Sequence, residues 1–143
     1  MVNSTWIDIS FPKLKKAGYK VTSLTDDVYN CIAWAAGDRT TWWSYADGYY
    51  WPIADHSNGV QNLINVFESI GFQRCENNQV EANYDKVAIF AKAGIWKHAA
   101  RQLADGRWAS KLGPDEDIEH VTLESLEGDV YGVVFCTMRK ARI

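Results

Sequence analysis

The sequence is short of paired cysteines, of long apolar runs and of concentrated positive charge, and each shortage removes a class of protein. Its three cysteines, Cys31, Cys75 and Cys136, are odd in number and far apart. A disulfide scaffold needs cysteines in pairs and a zinc site needs them closely spaced, so neither a scaffold nor a metal is expected, and no motif calls for a cofactor. No stretch approaches the ~20 apolar residues of a membrane-crossing helix. Residues 1–10 lack the charged-then-apolar layout of a secretory leader. Lys and Arg number 15 against 18 Asp and Glu, a net charge of -3, and they cluster only at 13–16 and 139–142. The expectation is a soluble, cytoplasmic chain, export without a cleaved leader left open, with neither nucleic acid nor membrane as partner.

What is present is the makings of one core. The 143 residues suit a single domain spanning 1–143. A hydrophobic share of 47% with seven Trp and seven Tyr argues against disorder. Residues 1–22 read as an irregular segment with one short strand at 19–22. Ser23 or Thr25 followed by Asp26 and Asp27 signals a helix start, since hydroxyls cap free amides and carboxylates favour the positive end of the helix dipole. That helix runs to Ala36, with Gly37 as its stop. WWSYADGYYW (42–51) is a turn-rich aromatic loop closed by Pro52. Ser57 is the expected cap of a second helix, in which Val60, Leu63, Ile64, Phe67 and Ile70 recur at the spacing of one buried face before Gly71.

Beyond Tyr84 the pattern turns to strands: KVAIFA (86–91), HAARQL (98–103), RWASKL (107–112) and VYGVVFCTM (130–138). Helices followed by strands predict an α+β domain, an antiparallel β-sheet with the N-terminal helices packed on one side. Ala104-Asp105-Gly106 suits a type I turn followed by glycine at positive φ, the three-residue hairpin loop. On that register His98, Ala100, Gln102, Trp108 and Ser110 share one face, and Ala99, Arg101, Leu103, Arg107, Ala109 and Lys111 share the other. Three cations on the second face assign it to water, because an unpaired buried charge costs several kcal/mol. His98 then points inward or into a cleft. A two-residue turn at Asp105-Gly106 would instead set Lys111 beside His98.

A cysteine heading an early helix, then a strand of the form His-small-small-x-x-Leu-small-Asp-Gly leading to a polar residue, resembles the NlpC/P60-like branch of the papain-like cysteine peptidases and amidases. The resemblance covers residues 26–40 and 86–113, and the C-terminal half also looks like a family of uncharacterised bacterial proteins. It implies a papain-like fold with Cys31 as nucleophile, His98 as base and Ser110 as the group orienting the imidazole. It departs from the family in reading Asn30-Cys31-Ile32 around the nucleophile and serine at the third position.

The chemistry is that of an activated thiol. A helix N-terminus and a nearby imidazolium lower a cysteine's pKa from ~8.5, and the histidine must lie within hydrogen-bond reach of the sulfur. Gln102 or His120 is the alternative third residue; the Cys31 amide and the Asn30 side chain would form the oxyanion hole. Trp108, Trp42 and Trp43 are candidates for the substrate wall. The bland alternatives are a buried structural Cys31, a core His98 bonded to backbone, a solvated His120 on a loop, His56 beginning a helix, and structural Cys75 and Cys136. Two function classes follow: a cysteine hydrolase cleaving an amide or isopeptide bond in a peptide or peptide-like substrate, and a non-catalytic binding module using loop 42–51. A thiol acyltransferase or toxin effector is a variant of the first, differing in acceptor.

Overall fold

The computed structural model describes residues 5–23, 28–46, 48–112 and 116–142. The N-terminal segment, expected to be irregular, forms two short helices, α1 (Thr5–Ser10) and α2 (Pro12–Ala17), before strand β1 (Tyr19–Ser23). Pro12 opens α2, where its fixed φ suits the first helical turn. Ile7, Phe11 and Leu14 are at most 2% exposed, so burial holds two helices too short to persist alone.

Helix α3 (Cys31–Ala35) begins later than the acidic signal suggested, and its cap is Asn30, whose Oδ1 accepts from the Ala33 amide at 3.1 Å. Thr25, Asp26 and Asp27 lie outside the described residues. The end is as expected: Gly37 takes φ +89° and the Asp38 amide reaches back to the Ala33 carbonyl at 2.8 Å. Helix α4 (Val60–Ser69) is capped at Gly59 rather than Ser57. It stops at Gly71 in the same way, with the Phe72 amide on the Phe67 carbonyl at 3.0 Å and the two rings 5.4 Å apart. Leu63, Ile64, Val66 and Phe67 are at most 1% exposed, each burial stabilising by about 1.5–3 kcal/mol.

The remaining strands are β2 (Gln73–Cys75), β3 (Tyr84–Lys92), β4 (Ile95–Gln102), β5 (Trp108–Lys111), β6 (Asp117–His120) and β7 (Val133–Ala141), with a 3-10 turn at Glu124–Leu126. They form one antiparallel sheet in the order β1-β6-β5-β4-β3-β7-β2. The β4–β5 hairpin has the three-residue loop: Arg101 faces Ala109, Gln102 faces Trp108, and Gly106 sits at φ +93°.

The α+β class holds; helices on a single side do not. One core unites α3 and α4 with Val87, Ile89, Ala99 and Met138. A second unites α1, α2 and the 3-10 turn with Ala88, Phe90, Ala100, Trp108 and Ile118. Adjacent strand residues alternate between the cores, so both faces of the sheet are covered. That is why β3 is buried without interruption from Lys86 to Ala91. Among the described residues no helix is long and apolar enough to cross a membrane.

Candidate functional site

Cys31 heads α3 on the face of the sheet that carries Ala99. It is 7% exposed, and burial pushes its thiol up to about 11, opposed by nearby backbone amides and by the charge of Lys111. No imidazole acts on it. The neighbouring Asn30 is committed elsewhere. Its Oδ1 accepts from the amides of Ala33 (3.1 Å) and Trp43 (3.3 Å), while its Nδ2 donates to the Trp43 carbonyl. It ties α3 to the aromatic loop, with its oxygen doubly used and its amide nitrogen held on the Trp43 carbonyl. Asn30→Ala is accordingly expected to lower stability by about 2 kcal/mol, the loss of a helix cap plus buried backbone partners, measured by urea denaturation.

His98 occupies the opposite face. It is fully buried, stacked on Tyr131 at a centroid distance of 4.2 Å and 5° between planes, with Phe90 at 5.4 Å. Neither ring nitrogen has a hydrogen-bond partner among the described residues. Burial, and then the proximity of His120, hold its pKa well below the usual histidine value. The Cys31–His98 dyad is therefore not formed: the sheet itself separates the two side chains.

The charge argument assigned the faces wrongly. Lys111, on the face given to water, is fully buried with its Nζ 5.1 Å above the Tyr29 ring, and Arg101 lies 5.7 Å above Trp34. Lys111 lies over the Tyr29 ring and across the β5–β6 pair from the buried Asp117, while Arg101 is only half-buried over Trp34, and α3 packs on the face that carries them.

Ser110 does share the His98 face, but it bonds His120. The Ser110 Oγ lies 2.8 Å from His120 Nε2, and His120 Nδ1 lies 2.9 Å from the Thr122 carbonyl. A carbonyl only accepts, so Nδ1 carries the proton and Nε2 accepts from the serine hydroxyl. His120 sits on β6 and is 1% exposed, against the solvated loop expected of it. Burial lowers its pKa to about 4. The signal passed over was the alternation in DIEH, where Ile118 and His120 point to one face.

The expected substrate residues are held structurally. Gln102 donates to the Asn78 carbonyl at 2.6 Å, and Trp108 is 2% exposed in the second core. Trp43 is 6% exposed and donates to Asp38 at 2.9 Å, Trp42 is half-buried, and His56 is exposed with Nδ1 3.0 Å from the Tyr45 carbonyl. Among the described residues no group of three or more His, Cys, Asp or Glu is arranged to hold a metal ion.

The chain belongs to a family described as Domain of unknown function (DUF7689), whose model matches residues 20–139 and so spans Cys31, His98 and Ser110. No curated protein and no solved structure matches it.

Proposed function

Since its family carries no activity to transfer, we propose from the geometry that the chain is a non-catalytic binding module with loop 42–51 as its contact surface. The observation that carries this reading is the sheet between Cys31 and His98. A thiol hydrolase needs its base within hydrogen-bond reach of the sulfur, and a thiol near 11 is almost entirely protonated at neutral pH. What supports the papain-like hydrolase or acyltransferase is the cysteine-headed helix packed on an antiparallel sheet, a feature that a scaffold without catalysis would also keep.

The loop suits binding because its large rings are anchored. Trp43 and Trp51 are 6% and 7% exposed, and the Trp51 indole N–H donates to Asn62 at 3.0 Å. Trp51 stacks on Trp96 at 6.0 Å, and Tyr45 meets both edge-on. On this base Tyr49 and Tyr50, 54% and 50% exposed, face solvent. Aromatic rings on a fixed backbone lose little conformational entropy on binding, and a peptide-like ligand remains the class proposed.

Iodoacetamide labelling at neutral pH, resolved by peptide mass mapping, tests the chemistry. Cys75 and Cys136 should label in the folded protein, and Cys31 only as the chain unfolds, with no slowing in His98→Leu. A Cys31 that labels fastest of the three and slows in the variant restores the hydrolase. For the surface, a Tyr49→Ser/Tyr50→Ser double variant should lose binding on a peptide array; retained binding removes the loop from the reading.

A further inference from the structure

Strand β7 has nine residues and its outer neighbour β2 only three. β2 covers Thr137, Met138 and Arg139, and among the described residues no strand pairs with the outer edge of 133–136. After Cys75 the chain leaves the sheet and folds over the second core: the Asn77 carbonyl accepts from Lys86 and Thr137, and the Asn78 carbonyl from Gln102. The uncovered stretch reads VVFC, β-branched and aromatic, without lysine or proline; a bulge and one side-chain cap narrow this edge, and among the described residues no strand pairs with it. The Val134 amide is held by the Glu127 carboxylate at 2.9 Å. Phe135 is the extra residue of a bulge opposite Ile89 and Phe90; such bulges re-aim side chains. Its ring is 46% exposed, beneath the Arg74 guanidinium.

Beside this edge runs a groove of about 480 Å³, walled by Cys75, Asn78, Glu124 and Phe135. It meets a second hollow of about 290 Å³ that shares Asn78 and Glu124 and ends at Val80 and Val121, which are 49% and 60% exposed. Three carboxylates, Glu76, Glu124 and Glu127, border the groove and edge; Arg74 is the cation that lines the groove itself, while Lys13 and Lys16 flank Glu124 in a neighbouring hollow and Lys92 is held on the Asp129 carbonyl. Apolar contacts, an edge that no strand covers among the described residues and a groove with more carboxylates than cations together describe what fits.

We propose that this edge of β7 and its groove take an extended, basic peptide segment of another protein, which continues the sheet where β2 stops. Backbone pairing supplies affinity in this mode, and alternate side chains supply selectivity. Here valine-sized residues would meet Val133 and Phe135, and lysine or arginine would meet the carboxylates. The surface is distinct from loop 42–51 and the inference stands or falls independently of it.

The probe is a seven-residue peptide alternating lysine and valine, titrated into the full-length ¹⁵N-labelled chain. Saturable shifts and slowed hydrogen exchange are expected at the amides of 133–136. Replacing lysine by glutamate in the peptide, or methylating alternate backbone nitrogens, should each weaken binding by roughly tenfold or more. Phe135→Ser should do the same with its thermal midpoint kept. Should that variant fail to fold, Glu76→Lys/Glu124→Lys, both at exposed positions, should reverse the preference towards the acidic peptide. Gln61→Ala, at an exposed position on α4, should change nothing. Absence of saturable binding, shifts confined to other surfaces, or equal binding of the methylated peptide overturns the proposal. So does light scattering that finds the chain alone dimeric and Phe135→Ser monomeric, because the occupant is then a second copy.

Discussion

Gly132→Ala is expected to lower the unfolding free energy by roughly 4 kcal/mol, or to prevent folding. Gly132 sits at φ +76°, and a Cβ built there would stand 2.2 Å from the Ala91 carbonyl oxygen, 2.7 Å from its carbon and 2.9 Å from the Lys92 Cβ. Two of those atoms belong to the backbone of β3, a strand buried on both faces from Lys86 to Ala91, and cannot step aside. The left-handed conformation alone costs about 1–2 kcal/mol for a residue with a Cβ, and the overlap adds more than that. Gly132 and Gly128 also exchange backbone hydrogen bonds of 2.9 Å in each direction, so the turn that starts β7 cannot swing outward without losing both. Gly94 supplies the control: it has a similar φ of +78° but nothing within 4 Å of its would-be Cβ. Gly94→Ala should lose only ~1 kcal/mol, the conformational term without the clash. Urea denaturation of both variants separates the effects, and equal losses would refute the steric account.

Acid should be nearly as damaging. His98 and His120 are buried neutral, one with its pKa well below the usual value and the other at about 4, burial being the first cause for each. In the unfolded chain both titrate near ~6.5. Below that pH the unfolded state binds protons that the folded state refuses. The stability conferred by two neutral histidines is therefore complete above ~6.5 and declines as pH falls, by about 1.4 kcal/mol per pH unit for each. For His120 the loss continues down to about 4, where its folded form also takes a proton; for His98 it continues until the pH reaches that residue's own lowered pKa. Proton uptake by His120 has a visible structural cost, since Nε2 already accepts from Ser110 and a proton there turns an acceptor into a donor. His98→Leu should halve the slope measured by urea titrations between about pH 7.5 and 5. At neutral pH it should not destabilise, because the ring nitrogens it removes make no hydrogen bonds among the described residues. An unchanged slope in that variant would show that other groups govern the acid response.

Local geometry was largely legible in the residue order. Gly37 and Gly71 marked helix ends because only glycine enters the left-handed region cheaply there, and Ala104-Asp105-Gly106 set the hairpin register. Helix starts were harder. Asn30 outranked the acidic signal, and Gly59 displaced Ser57, since caps are chosen by which residue the packed helix presents to its loop. α1, α2 and β2 went unread because elements of six residues or fewer owe their existence to the surfaces they cover.

The candidate site illustrates the same division more sharply. Alternation along β4 and β5 correctly grouped His98 with Ser110 and Trp108, and Lys111 with Ala99, because successive side chains on a strand must point to opposite faces. Which group would meet Cys31 is a different kind of fact. It depends on the side of the sheet against which α3 packs, and no periodicity within a strand records the position of a helix more than 60 residues away. Charge was the wrong guide to it, since Lys111 is covered with the Tyr29 ring above it and Asp117 opposite it in the β5–β6 register, and Arg101 is only half-buried. The better guide lay in VAIFA, apolar at both parities, which requires a sheet buried on both sides and leaves two cores for a thiol and an imidazole to be divided between.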